Sequence, residues 1–381
     1  MNKMKVLHFI HSMGVGGAQV LVKDYALFLD KNKFDVTVLC IERENTFLDD
    51  ILRKNNIRTV YVSDLFPLKK VFRCNNLILK VFQKMGVLKF FVKFLIHKEK
   101  PDIIHYHLLC SNYIKFANVP QSCTLIHTIH SQPEKYWCVN QRSAKKDYNA
   151  LNYLIHNHGV QLIAINNQAR EVANELFGVD DTIVLNNAID FSKFQVAETK
   201  NDIRDTLGID RNAYLVGNIG RFSPVKNHAL IVRAFSELCK LRDDARLLLV
   251  GDGELRAKIK TEIETLGLKE KVIILNARTD VARILKALDV FIFASKYEGL
   301  GIILIEAQKM GVPCVISNAI PQEAVISNLV HRMDENATPA DYARILNDFQ
   351  VNKVEYNGLE EWDMKVVIKQ LENVYIRSKI S

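Results

Sequence analysis

Ser295-Lys296-Tyr297-Glu298-Gly299-Leu300-Gly301-Ile302-Ile303-Leu304-Ile305-Glu306-Ala307 follows directly on the apolar run at 290–294. That run has the length and the Val, Ile and Phe content of a strand buried on both faces. Glycines at 299 and 301 then break the chain, and an apolar series beginning at Ile302 reads as a helix. The unit is therefore strand, glycine turn, helix, with an acidic residue in the turn and a second one eight positions later. Two carboxylates so placed can accept hydrogen bonds from sugar hydroxyls, and backbone N–H groups of the turn can face a diphosphate between them. Two exposed glutamates in a loop and a first helical turn are the plainer reading, but it leaves unexplained why Glu306 stands among Ile302, Ile303, Leu304, Ile305 and Ala307.

The same unit recurs outward from this stretch. Residues 215–219, 246–250, 272–275 and 313–317 are further strand-like runs in the second half, and 6–11, 36–41, 59–62, 102–107, 125–130, 162–165 and 183–185 in the first. Helical spacing of apolar residues marks 19–29 and 167–177 between them. Alternating strands and helices predict doubly wound parallel sheets. The pattern breaks at 191–210, a polar linker with a short helix, so an α/β chain of two Rossmann-like domains is expected, 1–190 and 191–359. A cleft between them would bring the carboxyl ends of both sheets together, where open α/β sheets bind ligands. The tail at 360–381 reads as a charged amphipathic helix with Trp362, Val366, Val367, Leu371 and Val374 as its apolar face.

Composition agrees with two soluble domains: 381 residues, 48% hydrophobic and 25% charged. No run of about 18 uncharged apolar residues is present, so no membrane-spanning helix is expected. The start of the chain reads as a first strand, since its short apolar run holds His8 and enters a glycine loop. Seven cysteines include no C-x-x-C pair and read as reduced thiols of a cytoplasmic protein. The net charge of +8 suits an anionic partner, and by itself it does not choose among a nucleoside diphosphate, anionic lipid and nucleic acid.

Other motifs carry candidate chemistry. Gly14-Val15-Gly16-Gly17 lies between the first strand and the first helix, as a phosphate-approaching turn or as a plain tight turn; Gln19 occupies the third glycine position of the dinucleotide fingerprint. Arg221 and Lys226 flank Pro224 after residues 215–219, either as a diphosphate clamp or as two solvated cations. Gly251-Asp252-Gly253-Glu254 reads as a turn and helix start, with Glu254 favourable to the helix dipole. Residues 67–98 hold eight Lys or Arg and no Asp or Glu, interleaved with Leu88, Phe90, Phe91, Val92, Phe94 and Leu95. That stretch reads as a basic amphipathic helix on an anionic membrane surface, or as a domain helix with a solvated basic face.

Taken together, Tyr297-Glu298-Gly299-Leu300, Ile305-Glu306-Ala307-Gln308, Gly311-Val312-Pro313, Gly220-Arg221 with Lys226-Asn227, Gly251-Asp252-Gly253, Asn187-Ala188-Ile189-Asp190 and Gly16-Gly17-Ala18 resemble the family-4 retaining glycosyltransferases of the GT-B fold, in the branch that builds bacterial exopolysaccharides and capsules. The resemblance covers nearly the whole chain. It implies an acceptor domain at 1–190, a nucleotide-sugar donor domain at 191–359 and a C-terminal helix at 360–381 that packs back on the first. It implies that Glu298 holds the donor sugar, that Glu306 holds the ribose, and that the backbone of Gly299, Leu300 and Gly301 lies near sugar and diphosphate. Arg221 and Lys226 would neutralise the departing diphosphate, Gly16 and Gly17 would complete the phosphate cradle, Arg278 would lie in the loop near the base, and His130 would contact the donor sugar. His105 and His107 match a family strand and read as structural.

The donor is expected to be a UDP-sugar and the acceptor a glycan or polyprenyl-linked glycan. No further cofactor, no metal and no nucleic acid are expected, since no Asp-x-Asp metal clamp occurs in the chain. Retention of anomeric configuration is implied through front-side attack, with domain closure around the donor. The expected location is cytoplasmic, peripheral on the inner face of the cell membrane. Three departures concern loop geometry: Gly301 in place of a frequent proline, Ala188 in place of glycine, and Ala277 in place of glycine. A nucleotide-sugar epimerase of similar fold and a non-catalytic member of a glycan assembly complex are the alternatives.

Overall fold

The computed structural model describes residues 3–14, 16–65, 86–130 and 142–380. The chain divides into one unit of Met1–Ala188 with Glu361–Ser381 and a second of Ile189–Glu360.

The first unit is built on strands β1 (Met4–Ser12), β2 (Phe34–Glu42), β3 (Arg58–Tyr61), β4 (Ile103–His107), β5 (Thr124–Ile129), β6 (Gln161–Ala164) and β7 (Ile183–Val184). They form one sheet in the order β3-β2-β1-β4-β5-β6-β7, every pair parallel. Alternation along the strands sorts the two faces. Leu7, Phe9, Ile104, Tyr106 and Leu125 pack with Leu88, Val92 and Leu95 of the helix Val87–Glu99. Val6, Ile103, Ile126 and Ile163 pack with Leu21 and Tyr25 of the helix Gly17–Phe28 and with Leu371 and Tyr375 of the helix Met364–Ile380. Each such side chain, taken fully out of water, stabilises by about 1.5–3 kcal/mol. Because both faces are covered, the strands read as unbroken apolar runs.

The C-terminal helix is thus part of the first unit's core. Of the expected apolar face, Val367, Leu371 and Val374 are buried, together with Met364, Ile368 and Tyr375; Trp362 is buried in the preceding 3-10 turn Leu359–Trp362, and Val366 is exposed. The 3.6-residue period allows only one of the neighbours Val366 and Val367 to face the sheet squarely.

The second unit contains β8 (Tyr214–Ile219), β9 (Ala245–Val250), β10 (Val272–Leu275), β11 (Val290–Phe293), β12 (Cys314–Ile316) and β13 (Val330–Arg332), ordered β10-β9-β8-β11-β12-β13 and all parallel. Val216, Leu247, Leu249, Val290, Ile292 and Val315 pack with Ile231, Phe235 and Leu238 of the helix His228–Leu241 and with Tyr342 and Leu346 of the helix Pro339–Asp348. A capping box starts the linker helix Lys200–Leu207: Thr199 Oγ1 accepts from Asp202 N, and Thr199 N donates to the Asp202 carboxylate. β13 is absent from the expected strands, since three residues containing His331 and Arg332 carry no apolar signal.

The expected basic amphipathic helix at 67–98 is only partly described, because residues 66–85 lie outside the described residues. In the part described, Leu88, Val92 and Leu95 are core residues and cannot face a membrane, while Phe90 and Phe94 stay exposed. No helix among the described residues is long and apolar enough to cross a membrane. Cys40, Cys110, Cys123, Cys239 and Cys314 are free thiols, and Cys74 and Cys138 lie outside the described residues.

Candidate functional site

In the second sheet β8 and β11 are neighbours whose onward connections run in opposite directions, β8 to β9 on one side and β11 to β12 on the other. Doubly wound sheets bind ligands at the carboxyl ends of such a strand pair. The loop after β8 carries Arg221 and Lys226, and the loop after β11 carries Glu298, Gly299 and Gly301. A backbone bond from Lys296 N to Val225 O at 2.8 Å ties the two loops together. Beside it Lys226 Nζ donates to Glu298 Oε1 at 2.5 Å, with both side chains largely buried, and lies 5.1 Å from the centre of the Phe293 ring.

Lys226 ends the short 3-10 turn Pro224–Lys226, and Asn227 takes a left-handed conformation at φ 53° before the helix His228–Leu241 begins. That reversal is one asparagine tolerates better than most residues. Arg221 is not brought to Lys226: it is largely exposed and reaches Glu254 Oε2 at 3.4 Å. The expected two-cation clamp is therefore split, one cation on Glu298 and the other on Glu254. Arg278 is held in a two-pronged pair by Asp280, at 2.7 Å for each prong.

Glycines set the path of these loops. Gly251 N donates to Leu275 O, Gly220 N to Val250 O, and Phe222 N to Asp252 O, so the chains leaving β8 and β9 stay paired beyond the strands. A Cβ on Gly251 would stand 2.0 Å from Gly220 O, and one on Gly253 would stand 2.5 Å from Phe222 O. Gly301 has φ +89° at the start of the helix Ile302–Lys309. Proline, fixed near φ −65°, could not adopt that turn, which gives a physical meaning to glycine at this position.

Glu306 is half-buried on the same helix, whose Leu304, Ile305, Ala307 and Gln308 are buried. The Gln308 amide is fully engaged: Nε2 donates to Leu304 O and Ala324 O, and Oε1 accepts from Ile326 N and Ser327 Oγ. This fixes the helix that carries Glu306, a role the motif's spacing alone does not reveal. Asn218 Oδ1, Ser295 Oγ and both ring nitrogens of His228 are buried without a partner among the described residues. Orphaned polar atoms of this kind mark a place that a ligand or water completes.

In the first unit, β1 and β4 are the strands at which the winding reverses. Gly16 caps the helix Gly17–Phe28 in extended conformation, and a Cβ on Gly17 would meet nothing within 4 Å. Glu44 stands beside this loop: its Oε1 accepts from Ser12 Oγ at 2.5 Å, and a Cβ on Gly14 would lie 2.7 Å from its Oε2. That fixed carboxylate opposes a phosphate at Gly14, a Cβ on Gly16 would lie 2.5 Å from Gln19 Oε1, and Gly17 is the glycine left open.

Behind this loop lies a layer of histidines. His8 on β1, His105 and His107 on β4, Thr128 on β5 and His130 just after it share one face, as their spacing of two requires. Burial lowers the pKa of His8 and of His130 to about 3 and holds His105 and His107 well below the ordinary imidazole value. His105 Nδ1 bonds the Tyr375 hydroxyl at 2.7 Å and its Nε2 bonds Thr128 Oγ1 at 2.6 Å, pinning the C-terminal helix to the sheet. Nitrogens of His8, His105 and His107 lie within 4.8 Å of one another. Neutral imidazoles are metal ligands in principle, but both nitrogens of His105 and of His107 are already hydrogen-bonded. A metal would have to break those bonds.

Residues 15–193 match the family described as Glycosyltransferase Family 4, and residues 199–356 match the one described as Glycosyl transferases group 1. The chain is 30% identical over 339 residues to the UDP-Gal:alpha-D-GlcNAc-diphosphoundecaprenol alpha-1,3-galactosyltransferase of Escherichia coli, covering 86% of this chain and 82% of that one. It is 26% identical over 338 residues to a putative glycosyltransferase, EpsF, of Bacillus subtilis (strain 168), covering 84% and 81%. Among solved structures, the Anabaena protein Alr3699/HepE in complex with UDP and glucose superposes with a TM-score of 0.78 at 18% identity, over 97% of this chain and 99% of that one. At that identity the likeness shows the fold, a pair of Rossmann-like parallel-sheet domains.

Proposed function

The chain belongs to the family-4 glycosyltransferases of the GT-B fold, and from that membership we propose that it moves a hexose or N-acetylhexosamine from a UDP-sugar to a glycan or lipid-linked acceptor in bacterial surface polysaccharide synthesis. The observation that carries the donor site is the Lys226–Glu298 pair at 2.5 Å, held at the switch point of the second sheet. A carboxylate paired with a lysine can exchange that partner for sugar hydroxyls, which frees the ammonium for the diphosphate. Glu298 holds the donor sugar and Glu306 the ribose. Gly299, Leu300 and Gly301 offer backbone to the diphosphate, and Arg278 lies near the base.

Cleavage of the sugar–phosphate bond places charge on the leaving diphosphate, and Lys226 with Arg221 stabilises it electrostatically. Arg221 first releases Glu254, an exposed pair whose exchange is worth at most about 1 kcal/mol. The acceptor attacks on the face the diphosphate leaves, the configuration is retained, and no metal takes part. Glu298 and Glu306 bind the donor and neither acts as nucleophile or acid.

The test is turnover of a UDP-sugar panel with and without a diphosphate-linked polyprenyl acceptor. Acceptor-dependent release of UDP with an α-linked product, unaffected by EDTA, supports the reading. Isomerised nucleotide sugar without acceptor would instead identify an epimerase.

The cytoplasmic, membrane-peripheral location rests on an aromatic and basic face of the first unit. Phe90 and Phe94 are 64% and 57% exposed, four residues apart on one helix. The Phe116 ring packs on Phe90 at 4.9 Å, and Lys115 Nζ lies 3.8 Å from the centre of the Tyr153 ring. Rings beside cations suit an anionic bilayer surface. The protein should co-float with vesicles of anionic lipid. Reversing Lys93 to Glu should weaken partitioning about 30-fold, at about 1 kcal/mol for each charge lost or gained. Failure of the wild type to float contradicts the location.

A further inference from the structure

Three neighbouring helices of the first unit, Val87–Glu99, Ser111–Ala117 and Arg142–His158, share one core, in which Leu88, Val92, Ile114, Leu151 and Leu154 pack together. The first of them leads into β4, and the other two follow β4 and β5. All three therefore start at the carboxyl edge of the parallel sheet, the edge at which such sheets bind ligands. Lys89, Asn112 and Lys146 stand near those starts.

The three helices hold seven Lys or Arg and two carboxylates. Glu99, at the far end of its helix, accepts from Arg58 at 2.8 Å. Asp147 is buried and accepts from Ser111 Oγ at 3.1 Å and from Asn112 N at 3.3 Å. Lys89 is half-buried, and its ammonium donates to a neutral group, Asn112 Oδ1, at 3.0 Å. Burial first, and then the charge of Lys146, lower the Lys89 pKa, and among the described residues no carboxylate offsets them. A partly buried cation beside a second cation is a place that an anion completes.

The surroundings specify that anion further. Lys89 Nζ lies 5.5 Å from the centre of the Phe116 ring, Phe116 packs edge-on with Phe90 at 4.9 Å, and Phe90 and Phe94 are exposed one turn apart. The cationic end and the aromatic face are thus continuous on one surface, which fits an amphiphile with an anionic head and a hydrocarbon chain. A diphosphate head has oxygens enough to accept from both lysines. We propose that Lys89 and Lys146 bind the diphosphate of a prenyl-diphosphate-linked acceptor, whose chain leaves over Phe116, Phe90 and Phe94. Asn112 supplies an amide N–H from the same group whose oxygen positions Lys89. The inference rests on the proposed lipid-linked acceptor and adds where the first unit holds its head group.

Binding is measured by isothermal titration calorimetry on the full chain, with farnesyl diphosphate and farnesol as probes and no UDP-sugar. Neutral detergent is used, so that no anionic bilayer supplies the attraction. The wild type should prefer the diphosphate to the alcohol. Lys89→Met and Lys146→Met keep the length of the side chain, and each should reduce that preference about tenfold or more, the value of a hydrogen bond to a charged group. Lys98→Met is the control. It removes the same charge from the same helix about 13 Å along the axis from Lys89, beyond the screening length of about 8 Å at physiological ionic strength, and should leave the preference within about twofold. No preference of the wild type for the diphosphate overturns the inference even if no variant folds. So do equal losses in all three variants, which would mark a diffuse surface charge, and displacement of farnesyl diphosphate by equimolar UDP, which would assign it to the nucleotide site. Because the assay contains no donor, the expected preferences in an enzyme that turns over no UDP-sugar would support the site and count against the proposed function. A working transferase whose preference survives both Lys89→Met and Lys146→Met would overturn the inference and leave that function standing.

Discussion

Lys226→Met is expected to lower kcat/KM by about 10²–10³-fold, the range seen when one preorganised electrostatic stabiliser of a transition state is removed. The geometry explains why the effect should be that large for a single lysine. Its ammonium is 2.5 Å from Glu298, its stem follows Val225, whose carbonyl is tied to Lys296 N, and its position therefore depends on both loops of the site. Charge on the leaving diphosphate develops only as the sugar–phosphate bond breaks, so kcat should fall about as much as kcat/KM. Met keeps the length of the side chain and its packing near Phe293. Glu298→Gln should also impair turnover. Because the two residues form one contact, the double variant should be less impaired than the product of the single effects. Steady-state kinetics on all four proteins decides the matter, and a fully multiplicative double variant would mean that the pair does not act as one unit.

Gly251→Ala should destabilise the second unit by about 3 kcal/mol or more and abolish turnover with it. The added methyl would stand 2.0 Å from the Gly220 carbonyl oxygen, at a glycine with φ +156°. The two nearest atoms, Gly220 O and Gly220 C, are backbone and cannot swing away, so the paired chains after β8 and β9 must separate. Backbone bonds at Gly220, Phe222 and Gly251 are lost together. Overpacking alone costs about 1–3 kcal/mol, and the lost bonds add to it. Gly267→Ala is the control. Its φ is +68° but nothing lies within 4 Å of the added methyl, so only about 1 kcal/mol of backbone strain is expected. Denaturant midpoints of the two variants against wild type separate steric collision from ordinary left-handed strain.

Sequence patterning carried the strands because both sheets are parallel and covered on both faces, so each strand is a short apolar run with polar ends. β13 failed that test, being three residues with His331 and Arg332 in it. Burial direction on helices was less legible. Val366 and Val367 are adjacent and equally apolar, and only the partner surface decides which one is covered. In the 67–98 stretch Leu88, Val92 and Leu95 belong to the core, and among the described residues Phe90 and Phe94 are the large apolar side chains left exposed.

At the site, the glycines and the two glutamates were visible because chain reversals and strand ends leave marks in composition. Pairing was not. Spacing across a turn leaves Arg221 and Lys226 as either a clamp or two solvated cations, and the 3-10 turn sends Lys226 to Glu298 and leaves Arg221 with Glu254. The histidine layer does leave a mark in the sequence: His105 and His107, then Thr128 and His130, two apart on adjacent strands, must share a face.

The most direct measurement of the central claim is donor binding by thermal shift, with UDP and UDP-sugars against wild type, Lys226→Met and Glu298→Gln. A ligand held only by the folded chain stabilises it by about 2.7 kcal/mol at a concentration one hundred times its dissociation constant. The account predicts a rise in Tm for wild type with at least one UDP-sugar, a smaller rise with UDP alone for Lys226→Met, and a loss of the sugar's added effect for Glu298→Gln. No shift of wild type with any nucleoside diphosphate, or equal shifts in all three proteins, would contradict a donor site at Lys226 and Glu298.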